Sequence, residues 1–154
     1  MKRLAQLIDE FWIWTELPKE KYGRTDMNKL PIYPELFPKI GEICDVCIEM
    51  INAPLTEEEI DLFLMGMAID SEDEDVLENC LNKGNSMFLH KLVSLGIKHP
   101  QSNARWQLAE LLRRDIPDQR HFLSVLHNDM DEYVRKRAYN VIYDIQSMEK
   151  SETT

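Results

Sequence analysis

The segment AIDSEDEDVLENC, residues 68–80, places Asp70, Glu72, Asp73, Glu74 and Asp75 within six positions. Carboxylates at that density can ligate a hard cation, attract a basic partner, or simply solvate a turn. The calcium reading fails on spacing. An EF-hand loop needs glycine at its sixth position and a bidentate glutamate at its twelfth; counted from Asp70, those positions hold Asp75 and Leu81. A helix start accounts for part of the charge, because carboxylates are favoured near a first turn by the macrodipole. The remainder is available either as a solvated face or as a surface for a basic partner.

Sulfur chemistry is the next candidate. Cys44 and Cys47, in CDVC, have the spacing of redox and zinc motifs, but the pair falls inside a helical stripe beside carboxylates that oppose thiolate formation. Only Cys80 could add a third thiol. These residues read as core cysteines. His90, His99, His121 and His127 show no His-Glu-x-x-His pattern, and Gly-x-Ser-x-Gly and phosphate-binding glycine loops are absent from the sequence. The expectation is a protein that is not an enzyme, with no catalytic residue, no metal and no cofactor.

Two further groups bear on binding. Trp106 lies off the Ala104, Leu108, Leu111 stripe, which predicts a surface tryptophan of the kind that anchors interfaces. Arg113, Arg114, Arg120, His121, Arg135, Lys136 and Arg137 form a basic cluster, interspersed with Glu110, Asp115, Asp118, Asp131 and Glu132. Internal ion pairing is its expected role; nucleic-acid binding through Arg113, Arg114, Arg135 and Arg137 is the alternative.

These groups must be positioned by helices. The chain has 154 residues, 44% of them hydrophobic, and only five glycines, so one all-α domain is expected. The apolar N-terminal run is broken by Asp9 and Glu10, which argues against a signal peptide and for a soluble, cytoplasmic protein outside membranes. The formal charge of −10 is localised: residues 40–82 contain thirteen carboxylates and no Lys or Arg.

Leu4, Leu7, Ile8, Phe11 and Trp12 mark a first helix, ended at Leu17-Pro18. An irregular connector pinned by Tyr22, Leu30, Ile32 and Tyr33 leads to a second helix over Leu36, Ile40, Ile43, Cys44, Cys47, Ile48 and Ile51. Thr56 and Glu59 form a capping box for a third helix, with Leu55 and Ile60 as staple. Ser71 and Glu74 repeat that spacing before a fourth helix, whose end at Gly84 suits a left-handed C-terminal residue. Four more helices follow, centred on Leu92, Leu108, Leu123 and Ala138. Residues 1–148 then form one domain and residues 149–154 a frayed tail.

Shifted by thirty residues, Leu92, Leu95, Ala104, Arg105, Leu108 and Leu112 lie over Phe122, Val125, Val134, Arg135, Ala138 and Ile142; a shift of twenty-eight adds a looser first copy. The last copy, with Asp129, Asp131, Val134, Arg135 and Ala138, resembles a HEAT-type repeat. That resemblance covers residues 56–146 as three helix pairs, with residues 1–55 as an N-terminal helix pair. It implies an α-solenoid of about eight helices, stacked as antiparallel pairs and serving as a binding scaffold. In size and acidity the chain also looks like bacterial immunity proteins that neutralise nuclease toxins. The expected function is therefore to bind and block a basic protein through Glu57, Glu58, Asp61, Asp70, Glu72, Asp73, Glu74, Asp75, Glu78 and Trp106. A nucleic-acid-binding or DNA-repair-like HEAT protein is the alternative.

Overall fold

Leu4, Leu7, Ile8, Phe11 and Trp12 occupy one stripe of helix α1 (Lys2–Thr15), and all five are buried. The computed structural model describes residues 2–153. Helix α1 stops where the Thr15 hydroxyl donates to the Trp12 carbonyl (2.7 Å) and Glu16 takes a left-handed conformation at φ 59°. The connector that follows contains the short α2 (Lys19–Tyr22) and two 3-10 turns, Met27–Lys29 and Pro34–Leu36. Its main anchor is Met27, which is 2% exposed, whereas Tyr33 points outward. Gln101 fixes it from a distance: its side-chain carbonyl accepts the Met27 N–H (2.8 Å), and its amide donates to the Thr25 carbonyl (2.7 Å).

Helix α3 (Ile40–Met50) leads to α4 (Glu57–Ile69), where the capping box forms as expected: Glu59 N–H donates to Thr56 Oγ1 (3.2 Å) and Thr56 N–H to Glu59 Oε2 (2.7 Å). From Phe63 to Ile69 every residue of α4 is buried, because α1, α3, α6 (Ser86–Gly96) and α7 (Ser102–Leu111) pack around it. Close approach needs small residues at the crossings. A Cβ at Gly66 would lie 2.5 Å from Cys47 Sγ, and one at Gly96 would lie 2.5 Å from Leu108 Cδ1.

Between these lies α5 (Asp75–Lys83), and the chain ends in α8 (Gln119–His127) and α9 (Glu132–Glu152). Helix α6 packs on α7, α8 packs on α9, and α7 lies against α4, α5 and α9. One apolar core runs from Leu4 to Val141, so the N-terminal helices share it with the rest. Helix α4 packs more on its other neighbours than on α5, a departure from a simple series of hairpins. Among the described residues all regular structure is helical, and no helix is long and apolar enough to cross a membrane.

Three local expectations are corrected. Ser71 and Glu74 form no capping box: Glu74 is the left-handed residue before α5 (φ 59°), and the Val76 N–H is taken instead by Asp70 Oδ2 at 2.8 Å. Gly84 is extended (φ −63°, ψ 126°). Asn52 is left-handed instead, at φ 69°, and its side chain bridges the Lys83 carbonyl (2.8 Å) and the Asn85 N–H (2.7 Å). The tail does not begin at 149, since α9 meets no glycine or proline and runs to Glu152.

The repeat has a geometric counterpart. Arg105 Nη1 donates to the carbonyls of His99 (2.6 Å) and Pro100 (3.2 Å), six and five residues back. Arg135 Nη1 donates to those of Asp129 (2.8 Å) and Met130 (3.1 Å), at the same offsets. Arg105 also grips Asp129 through Nε (2.8 Å) and Nη2 (3.0 Å), the two side chains being only 7% and 8% exposed. Removing one partner of such a buried pair strands the other. Arg105→Ala is expected to lower unfolding stability by about 3 kcal/mol, measured by urea denaturation, whereas Arg120→Ala, at an exposed pair, should change it by less than about 1 kcal/mol.

Candidate functional site

A concavity is built by the second half of α1, the 17–24 segment and α4, with His99 at its back. It encloses about 890 Å³. Ile8, Trp12 and Met65 supply a buried apolar floor, while Ile13 stands 77% exposed at the edge. Asp61, Leu62 and Met65 enter on one face of α4, and Glu57 and Glu58 sit one turn earlier on that face by helical spacing.

Charge at the cleft is ordered by a relay. Gln101 N–H donates to His99 Nδ1 (3.2 Å), which leaves the proton on Nε2, and Nε2 faces Asp61 Oδ1 at 3.2 Å. Arg24 Nη1 reaches both Asp61 oxygens, at 2.9 and 3.1 Å. The hydrogen bond from His99, followed by that from Arg24, holds the Asp61 carboxyl down at about 2 against its partial burial. Lys19 pairs with Asp9. Glu16 and Glu20, also lining the cleft, have no ion-pair partner among the described residues. The cleft therefore presents an apolar floor and an acidic rim, an arrangement suited to binding a cationic, partly apolar segment.

The expected acidic surface is divided. Helix α4 has thirteen residues and so is about 20 Å long, with Glu57, Glu58 and Asp61 at its start and Glu72, Asp73, Glu74, Asp75 and Glu78 beyond its end. Asp70 is a correction: it is fully buried, because it caps α5 internally. Burial first, and Asp75 and Asp73 nearby, push its carboxyl above the usual range. Trp106 is a second correction, at 4% exposure. Arg137 of α9 covers its ring, with the guanidinium carbon 4.5 Å from the centroid, and Tyr133 meets it edge-on at 5.6 Å.

The basic cluster is engaged internally. Arg113 bonds Glu110 (2.7 Å) and Asp144 (2.6 Å), Arg137 bonds Glu110 (2.7 Å), and Arg114 donates to the Leu81 carbonyl (2.6 Å). Arg135 holds its own turn, as above. The cysteines are free and buried, with burial raising the Cys44 and Cys47 thiols and pushing Cys80 up to about 12. Among the described residues, one group of three metal-capable side chains comes together: Cys44, Asp70 and Asp75.

Sequence reasoning selected Asp61 but missed Arg24, His99, Glu16 and Glu20. Their only local signals are the break at Leu17-Pro18 and the His99-Pro100 step. Comparisons with protein-family models, with curated proteins and with solved structures return no match.

The Asp61 relay has a pH consequence. Its folded value near 2 lies below the ordinary 3.8, so its contribution is complete above about 3.8 and is lost as pH falls through about 2. Asp61→Asn should be less stable than the parent at neutral pH, and the two should converge between about pH 4 and pH 2. Urea midpoints across that range test this, and parallel curves would rule it out.

Proposed function

We propose that the chain is a non-catalytic protein-binding module that takes a basic segment of a partner protein into the α1–α4 cleft. The observation that carries this reading is the pair of unpartnered carboxylates, Glu16 and Glu20, above an apolar floor. A lysine or arginine side chain can lay its methylene stem along Trp12 and Met65 while its charged head meets the rim. The outlying patch at Glu72, Asp73, Glu74, Asp75 and Glu78 adds long-range attraction, so association is fast and salt-sensitive.

The scaffold is a HEAT-like solenoid in this reading, supported by the arginine clamps of Arg105 and Arg135 at identical offsets. Size, a net charge of −10 and its concentration in residues 40–82 suit an immunity-type inhibitor whose target is a basic nuclease toxin. Protein is favoured over nucleic acid as the partner because Arg113, Arg114, Arg135 and Arg137 already donate to acceptors within the chain.

The test is a pull-down from nuclease-treated lysate of the source cell across a salt series. The parent should retain a basic protein at low salt and release it at high salt. Glu16→Lys/Glu20→Lys should lose that protein, while Glu72→Lys/Asp73→Lys should bind it more slowly but still bind. Equal retention by the cleft variant, or capture that depends on nucleic acid, defeats the proposal.

A further inference from the structure

We infer that Cys44, Asp70 and Asp75 form a binding site for a thiophilic divalent cation of the zinc type. Three elements converge there: α3 contributes Cys44, the end of α4 contributes Asp70, and the first residue of α5 contributes Asp75. One ligand atom from each lies within 4.8 Å of the other two.

The observation that points to a ligand is Asp70. Its side chain is fully buried, with Oδ2 taken by the Val76 N–H and the Cys44 thiol beside the carboxylate, yet Oδ1 has no hydrogen-bond partner. A buried carboxylate oxygen left unmatched is destabilising by roughly 1–3 kcal/mol or more, and native chains rarely leave one without reason. Ordinarily a lysine or arginine would answer it. None occurs between residues 40 and 82, and neither Asp70 nor Asp75 has an ion pair among the described residues. Two carboxylates and a neutral thiol therefore meet with no cation among them.

The donor set selects the ion. Magnesium and calcium take oxygen ligands and gain nothing from sulfur, whereas a thiolate with carboxylates suits zinc or its spectroscopic substitute cobalt. Ligands around a tetrahedral zinc stand roughly 3.5 Å apart, within the 4.8 Å that bounds the three ligand atoms here, and Asp75 is exposed and free to adjust. Cys44, at 5% exposure, sits at the inner side. Binding breaks the Cys44 S–H bond, sends its proton to solvent and forms the metal–sulfur bond, without change of oxidation state. Three protein ligands leave a fourth position open on the Asp75 side, where solvent has access. The CDVC spacing is misleading here: Cys47 is fully buried against Gly66 and is not a member of the group, and the companions of Cys44 come from the acidic turn.

The experiment is a cobalt(II) titration of the reduced full chain, followed by zinc displacement. One equivalent of cobalt should produce a thiolate-to-metal charge-transfer band, raise the melting temperature and be displaced by zinc. Cys44→Ser should abolish the band. Asp75→Asn, at an exposed position where folding is preserved, should keep a sulfur band but weaken binding. Absence of the band in the parent, its survival in Cys44→Ser, or unchanged affinity in Asp75→Asn would each overturn the assignment.

Discussion

The guanidinium of Arg105 is the point through which distant parts of the molecule are held in register. It closes the turn before α7 by gripping the carbonyls of His99 and Pro100, and it reaches into the next turn to hold Asp129. Fixing the His99 backbone fixes its ring, and the ring meets Asp61 in the cleft. Two residues on, Gln101 holds the 18–39 connector by its Thr25 and Met27 backbone groups. The cleft, the connector and the last helix pair thus depend on one short stretch around residue 100.

Helix α7 carries this role because it is buried on all sides while still bearing polar residues. Gln107 donates to the Met67 carbonyl of α4 (2.7 Å), and Glu110 receives both Arg113 and Arg137. Apolar packing alone would allow such a helix to slide or rotate. A buried charged pair adds little net stability over an apolar pair of similar volume, but mispairing it is costly. The polar set therefore makes alternative registers of α7 expensive, while the Leu108, Leu111 and Leu112 side chains supply the burial that holds it in place.

The amphipathic stripes were legible from the sequence because apolar spacing is a local property. So was the start of α4, where Thr56 and Glu59 act on each other within a single turn. The acidic turn was legible only as composition: nothing local distinguishes Asp70, which turns inward to cap α5, from Glu72, which faces solvent. Trp106 failed for a related reason. It lies off its helix's apolar stripe, but Arg137, thirty-one positions later, folds over it, and a one-helix periodicity has no view of a covering side chain. The cleft was least legible, since Arg24, Asp61 and His99 come from three separated segments and meet only after α1, α4 and α7 have packed.

Among the described residues, four non-glycine residues hold left-handed backbone conformations, and none of the glycines does. Asn52 and Asp118 have a local return for that strain, Asn52 in its bridge to Lys83 and Asn85, and Asp118 in its contact with His90 at 3.1 Å. Glu16 and Glu74 have no such side-chain bond, although glycine at either position would be less strained by about 1 kcal/mol. Backbone comfort has been given up at two places, one at the cleft rim and one in the acidic turn. At both places the left-handed residue stands at a helix boundary, Glu16 closing α1 and Glu74 leading into α5, so the strain is spent on where those two helices end and begin.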